Sequence, residues 1–87
     1  MTLPYQGTRM VDFTQVEQGP SGTQVLADFG VDVIKVERID TGEIGRRQAP
    51  RINGVSCNYL ANNRNKRSMS LDLRLPEARE IIYRMVK

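Results

Sequence analysis

The sequence predicts an α/β fold built around an incomplete parallel sheet, and three observations predict it. Residues Val31, Val33, Ile34 and Val36 form a β-branched run too dense for a strand with one wet face. A helix-length segment ending in Gly30 separates that run from an earlier apolar one at Met10, Val11 and Phe13. Two short strands joined by a helix read as a βαβ unit, whose strands run parallel.

Each element has a local reason. The first apolar run suits an inner strand, and the chain then turns through Gly19-Pro20. Proline suits a first helical position, where its missing N–H has no intrahelical partner to lose. In the helix that follows, Val25, Leu26 and Phe29 fall on one face, opposite Gln24 and Asp28. Gly30 supplies the stop. The head of this helix carries free amides and the positive end of the helix dipole, which equips it to hold an anion. Gly-Pro-Ser-Gly is, however, not the Gly-x-Gly-x-x-Gly pattern of dinucleotide folds, and a plain tight turn fits as well.

Charge changes sharply along the chain. Residues 1–37 hold two basic and five acidic side chains, and residues 38–67 hold seven basic and two acidic, beneath an overall charge of +3. Arg38, Arg46, Arg47, Arg51, Arg64, Lys66 and Arg67 are interleaved with Gly42, Gly45, Pro50 and Gly54, so this segment is expected to be mostly loop. Basic loops at the carboxyl ends of parallel strands suit a phosphorylated ligand, whereas any one arginine is better explained as solvated surface.

Beyond the basic segment, Met69 to Leu73 alternates apolar and polar, as a strand near a sheet edge does. From Pro76, Ala78, Ile81, Ile82, Met85 and Val86 make a helical stripe, with Glu77 and Glu80 at its start and Arg84 and Lys87 at its end. Glu80 and Arg84 are spaced to pair. Leu75, at the capping position, cannot accept a backbone hydrogen bond.

The chain from about Leu3 to Lys87 resembles the N-terminal part of the class III CoA-transferase family, which contains formyl-CoA:oxalate, carnitine and bile-acid CoA-transferases. The resemblance rests on Val11-Asp12-Phe13-Thr14, Gly19-Pro20, Thr23-Gln24, Leu26, Gly30, Val33 to Arg38, Gly42 and Asn63 to Leu73. It implies that residues 1–87 are the N-terminal portion of a Rossmann-like large domain that binds coenzyme A, in dimers of interlocked ring-shaped subunits. By position it assigns CoA contacts to Glu17, Gln18, Arg38, Leu71, Asp72, Leu73 and Arg74. Leu71 and Leu73 also read simply as positions of a buried edge strand.

The resemblance further implies transfer of CoA from an acyl-CoA donor to a carboxylic acid acceptor. In it an aspartate attacks the thioester, and a mixed anhydride leads to an aspartyl-CoA thioester. None of Asp12, Asp28, Asp32, Asp40 or Asp72 matches the nucleophile motif, so no catalytic residue is expected in this chain, which alone is expected to be inactive. Glu17 stands where the formyl-CoA branch usually has glutamine, and Gln18 replaces a small residue before Gly-Pro.

Alternatives stay open: an α-methylacyl-CoA racemase of the same fold, a nicotinamide-binding module with Glu37 on a ribose, or a nucleic-acid-binding fragment using the basic middle. Tyr59 is the only aromatic in that middle, so stacking platforms for nucleic acid are missing. One cysteine, Cys57, and no histidine argue against a disulfide framework or a zinc site. No apolar stretch reaches membrane length and the start lacks a leader pattern, so neither a membrane nor a nucleic-acid partner is expected, and the cytoplasm is.

Overall fold

The computed structural model describes residues 2–87. Its elements in chain order are β1 (Arg9–Asp12), α1 (Gln18–Asp28), β2 (Asp32–Glu37), a 3-10 turn (Ile44–Arg47), β3 (Arg51–Ile52), β4 (Val55–Ser56), α2 (Cys57–Asn63), β5 (Arg67–Ser70) and α3 (Pro76–Met85). The main sheet has the order β1-β2-β5, with both pairings parallel. The fold class is therefore the one the sequence predicts. Among the described residues β2 is the central strand and β5 an edge.

The register sets the two faces of β2. Met10 lies opposite Val33 and Asp12 opposite Lys35, while Ile34 pairs with Arg67 and Glu37 with Ser70. Strand alternation puts Val33, Lys35 and Glu37 on one face and Ile34 and Val36 on the other. Val33 joins Ala27 and Val31 in the apolar core, with Met10 and Leu26 packed against it. Lys35 and Glu37, on the same face, are buried charges.

Several expectations need correction. Helix α1 starts at Gln18, two residues before the proline, and is capped by Glu17 without a side-chain bond. Its buried residues are Pro20, Gln24 and Ala27, whereas Val25 and Phe29 are exposed. The apolar pattern misled because a polar bond to the sheet helps fix the inward face: Thr23 donates to Asp12, while the buried Gln24 donates to Asp28 within the helix at 2.5 Å. The stop is as expected, with Gly30 at φ +109.

The basic segment is not mostly loop. Asn53 (φ +52) and Gly54 (φ +80) form the two-residue turn joining β3 to β4, the strongest short hairpin signal in the chain. Helix α2 follows at once, because the Ser56 side chain accepts the Tyr59 N–H. The third strand of the parallel sheet lies earlier than its alternation suggests, at Arg67–Ser70, so Leu71 to Leu73 follow its end. Phe13 likewise lies past the end of β1 and is exposed. In α3, Pro76 occupies the first turn and Leu75 the cap, as read, but only Ala78 of the stripe is buried, and Glu80 and Arg84 form no ion pair.

Candidate functional site

The carboxyl ends of all three parallel strands open onto one cleft of about 510 Å³. Its walls come mostly from the residues that follow each strand, Phe13 and Gln15 after β1, Arg38 to Asp40 after β2 and Leu71 to Arg74 after β5, and Val36, Glu37 and Glu43 complete them. This is the end of an open parallel sheet where ligands bind, and the volume lies in the range of small-molecule sites. Apolar Phe13, Ile39, Leu71 and Leu73 alternate around it with the guanidinium-bearing Arg38 and Arg74.

Five predicted contacts thus come together: Arg38, Leu71, Asp72, Leu73 and Arg74 line the cleft. Glu17 and Gln18 do not. They are exposed at the head of α1, one turn of chain beyond Gln15. Sequence reasoning missed Phe13, Gln15, Val36, Glu37, Ile39, Asp40 and Glu43 as lining residues; for Phe13 and Gln15 the available signal was their place just after an apolar strand.

Both arginines carry local partners. Arg74 holds Asp72 with two parallel bonds, Nε to Oδ1 at 2.8 Å and Nη2 to Oδ2 at 2.9 Å, and the Arg74 backbone N–H adds a third at 3.1 Å. Those bonds hold the Asp72 carboxyl below its usual range and push the Arg74 guanidinium up. Arg38 sits 3.6 Å from Asp40 in a fully exposed geometry. Backbone N–H groups of Asp40 and Thr41, more than Arg38, hold the Asp40 carboxyl down.

The floor beneath the cleft is ionic and closed. Asp12, at the end of β1, accepts from the Thr14 N–H (2.8 Å), the Thr14 hydroxyl (2.5 Å), the Thr23 hydroxyl (2.8 Å) and the Lys66 ammonium (3.1 Å). Burial pushes this carboxyl up, but the bonds from Thr14, Thr23 and Lys66 outweigh it and hold it below its usual range. Burial lowers the Lys66 ammonium, and Asp12 opposes that only in part. Lys35 donates to Glu43 at 3.2 Å and to the Thr14 carbonyl at 3.0 Å.

Glu37, buried at the end of β2, is shared among Arg46, the Tyr59 hydroxyl at 2.6 Å and the Ser68 hydroxyl at 3.3 Å. Burial raises the Glu37 carboxyl, yet Arg46, Tyr59 and Ser68 together hold it down. Burial and the Glu37 charge in turn push the Tyr59 phenol well above its usual range, so Tyr59 stays a donor. Arg46 also stacks on the Tyr59 ring, 4.2 Å from its centre. Both Glu37 oxygens are occupied, which removes the acceptor that a ribose-binding reading needs.

These bonds account for most of the basic segment. Arg46, Arg64, Lys66 and Arg67 pair with Glu37, Asp28, Asp12 and Asp32. The swing in charge along the sequence is therefore largely an internal match between an acidic first third and a basic middle, and of that segment's cations only Arg38 lines the cleft. Among the described residues no cluster of metal-ligating side chains occurs. No helix there is long and apolar enough to cross a membrane.

A parallel α/β sheet whose strand ends carry a mixed apolar and charged cleft fits the class of α/β proteins that hold a small molecule at that end. Comparison with known proteins gives the family. The profile of CoA-transferase family III matches residues 5–87, and the chain belongs to that family. It is 46% identical over its whole length to formyl-CoA:oxalate CoA-transferases of Bradyrhizobium sp. (strain ORS 278) and Rhodopseudomonas palustris (strain HaA2), covering 21% of each. Among solved structures it is similar to Rv3272 from Mycobacterium tuberculosis, with TM-score 0.86 and 38% identity over 97% of this chain and 24% of that one. A CAIB/BAIF family protein from Brucella suis gives TM-score 0.86 and 35% identity over 99% of this chain and 24% of that one. The chain thus spans about a fifth of the length of the curated relatives it matches.

Proposed function

We propose that this chain is the N-terminal portion of the large domain of a class III CoA-transferase and supplies part of its coenzyme A site. The observation that carries the reading is the cleft at the strand ends, which gathers Arg38 and the run Leu71 to Arg74 into one wall. Guanidinium groups suit phosphate oxygens, and the apolar side chains between them suit the adenine or the pantetheine arm. The complete enzyme moves CoA from an acyl-CoA donor to a carboxylic acid acceptor through an aspartyl-CoA thioester. It works as an interlocked homodimer in the cytoplasm.

The nucleophilic aspartate lies outside this chain. Asp12 is unsuited to attack, since its side chain is fully buried and accepts from Thr14, Thr23 and Lys66. Asp28, Asp32, Asp40 and Asp72 are each paired with an arginine at the surface. The covalent step divides one difficult acyl exchange into two easier ones, and this chain contributes the binding that positions the thioester for it. Support for the reading is the family membership, together with a cleft lined by five of the seven residues expected to contact CoA.

The test is calorimetric titration of the full-length protein with coenzyme A, followed by transfer assays with several acyl-CoA donors and carboxylic acid acceptors. Saturable CoA binding with acceptor-dependent transfer is expected. Epimerisation of a 2-methylacyl-CoA without an acceptor would replace the transferase by the racemase reading, and absence of CoA binding would overturn both.

A further inference from the structure

The turn that carries Phe13 and Gln15 into the cleft contains a conformation its sequence does not favour. Val16 has φ +72, the left-handed region, where a β-branched side chain is a genuine outlier. Such a conformation persists only when its surroundings over-determine it. Here they do. The Val16 N–H donates to Glu43 Oε1 at 2.8 Å, and the second Glu43 oxygen accepts from Gly45 N–H. Lys35 ties Glu43 to the Thr14 carbonyl, so the same two side chains grip the turn on both sides of Gln15.

Both groups are withdrawn from water, with side-chain exposures of 1% for Lys35 and 2% for Glu43. A buried carboxylate needs several donors, and Glu43 receives Val16, Gly45 and Lys35. The packing leaves little room for an alternative. A Cβ at Gly45 would lie 3.2 Å from the Val16 carbonyl oxygen, and one at Gly19 would lie 2.7 Å from the Thr14 Cβ.

We propose that Lys35 and Glu43 are positioning residues, a buried ion pair that clamps the Phe13–Glu17 turn around a left-handed Val16 and thereby holds Gln15 and Phe13 against the bound ligand. Lys35 stands behind the turn that forms one wall of the cleft, and Glu43, beneath the turn, reaches the cleft lining itself. The inference rests on the CoA reading of that cleft and extends it from the groups that touch the ligand to the groups that fix them.

The experiment uses coenzyme A as the probe and the full-length protein. Replacing both charges together, Lys35→Met with Glu43→Leu, removes the clamp without stranding one buried charge. The CoA dissociation constant is expected to rise about tenfold, the equivalent of one lost hydrogen-bonded contact. Adding Val16→Gly is expected to recover about a threefold share of that loss, because glycine takes a positive φ without help. Where the double variant does not fold, Glu43→Asp serves: it keeps a charge for Lys35 but withdraws the oxygen from Val16, and the same rise and recovery are required.

A merely structural role would lower the melting temperature and leave CoA affinity unrescued by Val16→Gly. Unchanged affinity in the clamp variants, or a loss that Val16→Gly does not relieve, overturns the proposal. Arg38→Ala is measured alongside. If it weakens CoA binding while the clamp variants do not, the positioning role alone falls; if neither does, the CoA reading of the cleft falls with it.

Discussion

Two sets of ion pairs sit within a few residues of each other at the carboxyl end of the sheet, and they behave differently because water reaches only one. In the floor, Lys66 and Asp12 have side-chain exposures of 2% and 0%. On the rim, Arg38 and Asp40 have 66% and 60%, and Arg74 has 85% against 15% for its partner Asp72. The same chemical partners therefore serve two purposes. In the floor each charge has lost its hydration and depends wholly on its neighbours, so the pairs fix the backbone. On the rim each pair competes with water and salt and contributes little to stability, so a stronger anion can take the arginine.

The largest effect that would break this contrast is expected in the floor. Lys66→Met leaves the Asp12 carboxylate buried without its cation, a loss of about 3–5 kcal/mol in a urea unfolding curve. It also removes the ammonium that bonds the Pro20 carbonyl and Asn63. A loss below 1 kcal/mol would mean that Thr14 and Thr23 alone satisfy Asp12 and that the floor is no different from the rim.

Acid should weaken the floor next. Asp12 and Glu37 have carboxyls lowered from ordinary values of 3.8 and 4.5, so their folded forms hold a proton less readily than the unfolded chain. The stability they contribute is then complete at neutral pH, and it is lost as pH falls below those ordinary values and through the lower folded ones. Melting temperature followed from pH 7 downward should hold steady and then drop in the acid range. Asp12→Asn should flatten part of that drop, and an unchanged profile in that variant would remove Asp12 from the account.

On the rim the expected losses appear in binding rather than in folding. Arg38→Ala should leave unfolding unchanged and weaken CoA binding by roughly 1.5–3 kcal/mol, about one to two orders of magnitude in dissociation constant. A change in stability with no change in affinity would reverse the assignment of Arg38 to the rim.

How far the sequence showed these two regions in advance depends on how local each signal was. The βαβ unit, the Gly30 stop and the helix from Pro76 were legible because each rests on a few neighbouring residues. The rim was legible for the same reason, since Arg38 directly follows a buried strand. The clamp was not: Glu43 lies 8 residues from Lys35 and 27 from Val16, and one acid inside a basic segment has no periodicity. A signal did exist in Lys35 and Glu37 themselves. Charges inside a strand covered on both faces must find partners, and Glu43 and Arg46 were among the nearby charges of opposite sign still without one. The inward face of α1 failed for a related reason, because hydrophobic periodicity cannot register Thr23 bonding to Asp12.

The smallest expected effect is also the finest test of the rim. Asp72 now occupies the Arg74 guanidinium with a bidentate pair, so an arriving phosphate must displace a carboxylate of the same sign and similar geometry. Asp72→Asn keeps the shape and removes the charge, which frees Arg74 and withdraws a repulsion from the cleft wall. Because water screens the pair, CoA affinity should improve by no more than about fivefold. The gain should shrink as salt is raised, since screening weakens both the attraction gained and the repulsion lost. Calorimetric titrations at low and at physiological ionic strength would show it. Weaker binding in Asp72→Asn would mean that Asp72 orients Arg74 for the ligand rather than competing for it, and that this rim pair, despite its exposure, works as the floor pairs do.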